Sequence, residues 1–165
     1  MRKNTKDIAF LGLCTALALV LAYIEALIPP LYAGLPGIKM GLTNIVIVFL
    51  LYRRGGGAAA IVSLLRMVLV ALLFGNGVAF VYSLAGGALS LAAMILLRKT
   101  GWLSTVGVSV AGGVLHNVGQ ILMAMLLLDT TELAYYLVVL TVTGTIAGIF
   151  VGLCGGALIR KIPHR

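Results

Sequence analysis

Three strongly polar side chains, His116, Asn117 and Gln120, fall within five residues in the middle of an apolar run from Leu103 to Leu128. That run is long enough to cross a bilayer with residues to spare. On a helix His116 and Gln120 stand four apart and Asn117 and Gln120 three apart, so all three share one broad face. An imidazole and two amides at that depth are costly without partners, and such groups face a bundle interior or a cavity. One reading is that they tie helices together by hydrogen bonds. The reading favoured by three of them on one face is a ligand site. Other polar residues join them. Arg66 interrupts the apolar stretch 58–74 near its centre, where an arginine costs about 2.5–3.5 kcal/mol on the insertion scale and needs a partner or water. Glu25 stands near the end of the first apolar stretch, Asn44 near the start of the second, and Lys39 is the lone charge of the loop between them.

The elements that must position these residues follow from composition. With 62% hydrophobic and only 10% charged residues, and a mean hydropathy of +1.18, the chain is far from a soluble domain, where about a quarter of residues are charged. The 165 residues suffice for one helical membrane domain, 1–165. Apolar stretches bounded by glycine, proline and basic turns predict an all-α integral membrane protein with six transmembrane helices, over 8–28, 42–52, 58–74, 78–97, 103–128 and 133–159. The second is short. The basic, then apolar start resembles a signal peptide, but no small-residue cleavage site follows, which predicts an uncleaved first span. Pro29 to Thr43 holds too many prolines and glycines for a helix and too many apolar residues for a loop free in water. It is expected to fold over the bundle as an extracellular lid. Small residues at four-residue spacing, Gly12 with Ala16 and Ala18 with Ala22, allow another helix to approach the first span. The ladder Gly144, Gly148, Gly152 and Gly156 is expected to do the same on the sixth.

Six spans put both termini on one side. Ten of the twelve basic residues, in the tails and in the Arg53-Arg54 and Arg98-Lys99 turns, then fall on that side, leaving Lys39 opposite and Arg66 within the membrane. The positive-inside rule makes it cytoplasmic. The net charge of +8 is therefore a topology signal, not a nucleic-acid footprint, and its excess is available to anionic lipid or a cytoplasmic partner. Depth counted along each helix puts Arg66 and His116 near the midplane, and Asn117, Gln120, Glu25 and Asn44 in the outer half under Lys39. Together they would suit a small anionic or zwitterionic ligand. An internal Glu25–Arg66 ion pair with interhelical hydrogen bonds is the alternative. Catalytic signatures are missing from the sequence: no paired-aspartate motif for magnesium diphosphate, no phosphate-binding loop, no dinucleotide fingerprint and no HExxH. Cys14 and Cys154 lie in apolar runs without ligand spacing, so no metal, cofactor or disulfide is expected.

Leu35-Pro36-Gly37-Ile38-Lys39-Met40-Gly41-Leu42-Thr43-Asn44-Ile45, Ser63-Leu64-Leu65-Arg66, Tyr82-Ser83-Leu84-Ala85-Gly86-Gly87 and Val108 to Gly113 with His116-Asn117-Val118-Gly119-Gln120 carry a resemblance over nearly the whole chain. The chain resembles the bacterial family called Gx transporter, also labelled heptaprenyl diphosphate synthase component I. That family is similar to the substrate-binding S components of energy-coupling-factor uptake transporters. The resemblance implies six helices, cytoplasmic termini, a first loop acting as lid, and small residues on the first helix that dock a shared membrane coupling subunit with cytoplasmic ATPases. It implies a multi-pass protein of the bacterial cell (inner) membrane and no enzyme. The second name implies a different role, as a noncatalytic membrane subunit beside isoprenoid or quinone synthesis or a membrane electron-transfer assembly.

Overall fold

The computed structural model describes residues 5–27 and 41–162. These form six α-helices and no strand: α1 (Thr5–Leu27), α2 (Thr43–Arg54), α3 (Gly56–Leu73), α4 (Gly77–Thr100), α5 (Thr105–Leu128) and α6 (Tyr136–Lys161), the last preceded by a 3₁₀ turn at Glu132–Tyr135. Residues 28–40, with the expected lid and Lys39, lie outside the described residues.

Local chemistry sets the boundaries. Asn76 caps α4 by accepting from the Ala79 backbone N–H at 2.8 Å, and Ser104 caps α5 by accepting from Gly107 at 3.2 Å. The α5 helix therefore starts two residues later than the apolar run suggests. Gly55 joins α2 to α3 with φ of +89°, a backbone that favours glycine. The third helix consequently begins at Gly56, ahead of the expected Ala58.

Five of the helices are long and apolar enough to cross a membrane; α2 is not among them. At 12 residues it measures about 18 Å, against a hydrocarbon core of about 30 Å. Its place explains its composition. Val46, Ile47, Val48, Leu50 and Leu51 are all buried, so α2 is apolar all round and runs through the centre of the bundle. The outer helices have the opposite pattern. Leu13, Leu72, Leu126 and Val138 are 69–76% exposed, which is stable against lipid tails and not against water. This is the architecture of a multi-pass membrane protein.

One end of the bundle is fastened by arginines. Arg54 pairs with Asp7 of α1 at 2.6 Å and lies over the Phe10 ring. Arg53 donates to the Ile159 carbonyl near the end of α6. Arg98 donates to the Leu51 and Tyr52 carbonyls, the last turn of α2, and covers the Tyr52 ring. Guanidinium groups here satisfy carbonyls that helix ends leave open. The start of α1 and the ends of α2, α4 and α6 therefore meet at one basic end.

Glycines bring α4, α5 and α6 together. A Cβ added at Gly148 would lie 2.5 Å from Val110 Cα, one at Gly113 2.5 Å from the Gly144 carbonyl oxygen, and one at Gly119 2.8 Å from Gly86 Cα. These are backbone-to-backbone approaches that no other residue permits. The expected sixth-helix ladder holds for Gly144, Gly148 and Gly152. Gly156 departs from it, with nothing within 4 Å, while Gly155 meets Val48 of α2 instead.

Candidate ligand-binding site

All six helices contribute to a cavity of about 80 Å³. Glu25 comes from the end of α1, and Gly41, Thr43 and Asn44 from the approach to α2 and its first turn. Arg66 comes from α3, Ser83 and Ser90 from α4, and Ser109, His116, Asn117 and Gln120 from α5. Gly144, Ala147, Gly148 and Val151 of α6 close the remaining wall. Measured from the basic end, Ser109 lies about 6 Å along its helix, Arg66 and His116 about 15–17 Å and Glu25 about 30 Å. The lining of this polar recess therefore runs from near the basic end to the opposite end of the bundle.

Six of the seven expected site residues, Glu25, Asn44, Arg66, His116, Asn117 and Gln120, line this one space. Lys39 is outside the described residues. The two charges are handled separately. Arg66 Nη1 donates to the Thr43 hydroxyl at 3.0 Å, and Arg66 Nε is buried with no hydrogen-bond partner among the described residues. Glu25 Oε1 accepts the Gly41 backbone N–H at 2.5 Å. The Glu25–Arg66 ion pair weighed as an alternative is not formed; among the described residues the one ion pair is Arg54–Asp7 at the basic end.

The amides divide between the two roles that sequence left open. Asn117 Nδ2 donates to the Leu140 carbonyl of α6 at 2.7 Å, a helix-to-helix tie. It passes through the notch left by Gly144, where an added Cβ would come within 2.8 Å of it. Gln120 and His116 pack beside Gly86: a Cβ there would lie 2.8 Å from Gln120 Cγ and 3.2 Å from His116 Nδ1. Gly86 thus makes room for the polar face of α5.

Sequence reasoning missed Thr43, the hydroxyl that holds Arg66, and the hydroxyls of Ser83, Ser90 and Ser109. Ser83 and Ser90 share α4 with Gly86 and Gly87, and small size and cavity exposure leave the same mark in a sequence. The expected docking residues also divide. Gly12 and Ala16 are exposed on the outer face of α1, and an added Cβ at Gly12 meets nothing within 4 Å. Ala18 is fully buried and Ala22 half-buried, so Ala18 faces the core because α2 and α3 pack on that side. It offers no surface to a partner. No three His, Cys, Asp or Glu side chains among the described residues lie close enough to hold a metal.

Fold and cavity define a helical, multi-pass membrane protein with a polar, arginine-containing recess among its helices. The chain matches, over residues 14–158, the family described as Heptaprenyl diphosphate synthase component I, and it belongs to that family. Comparison with curated proteins and with solved structures yields no match.

Proposed function

We propose that this chain is the substrate-capturing membrane subunit of an uptake transporter of the energy-coupling-factor type, binding a small anionic or zwitterionic ligand. The buried guanidinium of Arg66 carries this reading. Among the described residues it has one neutral partner, no ion pair and an unpaired Nε, and it borders a cavity otherwise lined by hydroxyls, amides, an imidazole and the separately held Glu25. An unmet donor costs about 1–3 kcal/mol; Arg53 Nε at the basic end shares that state, so the polar cavity beside Arg66 is what sets it apart. A ligand's anionic group supplies what is missing.

The basic end is assigned to the cytoplasm by the positive-inside rule, so the Glu25 end of the recess is assigned to the outer side of a bacterial cell membrane. The sequence has no nucleotide-binding loop, and energy must come from a partner. The exposed Gly12–Ala16 stripe on α1 is the face assigned to a membrane coupling subunit with its ATPases.

The family's description favours a second reading, a noncatalytic membrane subunit beside isoprenoid or quinone synthesis or an electron-transfer assembly. Purification from the native membrane, with mass spectrometry of bound small molecules and of co-purifying proteins, separates the two. A small polar ligand and an ATPase-linked membrane protein are expected. A soluble prenyltransferase or a redox protein, with no small polar ligand, would overturn the transport reading in favour of the second.

A further inference from the structure

The two charges of the recess are opposite in sign, line the same small space and yet do not pair. Each is held by a neutral group from one three-residue stretch: the Gly41 N–H holds Glu25, and the Thr43 hydroxyl holds Arg66. Gly41 itself has φ of +70°, and its carbonyl accepts from the Asn44 N–H at 2.8 Å, which fixes the turn that carries both contacts. In surroundings of low polarity the attraction between a carboxylate and a guanidinium is large, and long side chains close on each other unless something prevents it. Here the turn before α2 prevents it. Resting on the ligand-binding reading above, we propose that the ligand is a small zwitterion whose anionic group sits on Arg66 and whose cationic group sits on Glu25.

Charge balance supports the zwitterion over a simple anion. A carboxylate or phosphate alone would satisfy Arg66 but leave its own repulsion with Glu25 uncompensated inside a poorly solvated site. A zwitterion leaves the recess neutral and recovers the attraction of both receptor charges. Size narrows the class further. At about 10–15 Å³ for each water-sized position, a cavity of about 80 Å³ has room for roughly five to eight such positions. That suits an amino-acid-sized molecule. Asn44, Gln120 and Ser83 in the lining supply neutral donors and acceptors for the segment joining the two charges.

The full-length protein in lipid nanodiscs, titrated with a set of matched probes, tests this. The probes are the ω-amino acids glycine, β-alanine, 4-aminobutyrate and 5-aminovalerate, with propionate and propylamine as single-charge halves. At least one amino acid is expected to bind roughly tenfold or more tightly than either half, since each charged contact contributes more than one factor of ten. Glu25→Gln should remove that advantage while leaving propionate binding intact or improved. Arg66→Lys, which keeps the charge and protects folding, should weaken every anionic probe. Propionate binding as tightly as the best amino acid, with Glu25→Gln neutral, overturns the zwitterion and leaves anion capture standing. No probe binding, together with Arg66→Lys and Glu25→Gln that do not change the ligand retained from native membranes, overturns both.

Discussion

At the scale of single residues, Arg66 and Thr43 form the most informative pair. Thr43 is buried and accepts from Arg66 at 3.0 Å. Thr43→Val keeps the shape and removes the acceptor, leaving a second unmet guanidinium donor. A destabilisation of about 1–3 kcal/mol is expected, read as a lower unfolding midpoint in detergent. Added ligand should recover part of that loss, because it supplies a new acceptor. The sequence revealed Arg66 through its isolation in an apolar run and its midplane depth, and revealed Glu25, Asn44, His116, Asn117 and Gln120 through the same counting. Depth follows from residue number at 1.5 Å per residue. Azimuth between helices does not, and for that reason Thr43 and the serines of α4 and α5 went unassigned. It is also why a Glu25–Arg66 pair and two separately held charges were indistinguishable until the Gly41–Thr43 turn was seen between them.

At the scale of helices, Gly148 and Gly156, two rungs of one ladder in the sequence, behave differently in space. Gly148 faces the Val110 backbone at 2.5 Å from an added Cβ, whereas Gly156 faces open space. Gly148→Ala should separate α5 from α6 and cost several times the roughly 1 kcal/mol typical of a point substitution. Gly156→Ala should be neutral or stabilising by about 0.5–1 kcal/mol, since it gains helix propensity without a clash. Unfolding midpoints of the two variants check this directly. The ladder pattern was legible in the sequence, and so was the shortness of α2, because its apolar run ends at Arg53-Arg54. The end of the ladder was not legible. Gly152 already meets Val106 in the first turn of α5, so the register runs past the start of α5 before Gly156, while Gly155 meets Val48 of α2.

At the scale of the whole molecule, the arginine-fastened end and the Glu25 end of the recess lie at opposite ends of the bundle, and the membrane assignment turns on which end is cytoplasmic. Cysteine introduced at Thr131 should react with an impermeant reagent from outside intact cells, and cysteine at Thr100 should not. Labelling at Thr100 alone would invert the topology. Partner docking is predicted on the exposed stripe of α1: Ala16→Trp should abolish co-purification of a coupling subunit while ligand stays bound. Survival of the complex would move the docking face elsewhere. The expected orientation rests on the basic residues, because charge placement is a sequence property, and the labelling at Thr131 and Thr100 is its test. Small residues at four-residue spacing mark faces packed into the core, as at Ala18, as readily as exposed faces, as at Gly12 and Ala16, which is why the spacing alone does not assign a docking face.

The central claim is that Arg66 serves a ligand, and the small molecules carried by purified wild-type and Arg66→Leu protein test it most directly. Both proteins should elute as single folded species from the membrane extract, since leucine is well tolerated at that depth. Mass spectrometry should then find a small polar molecule with the wild type and lose it with Arg66→Leu, whatever is substituted at Glu25. A folded Arg66→Leu protein that retains the same molecule in the same amount would remove Arg66 from the site and contradict the account.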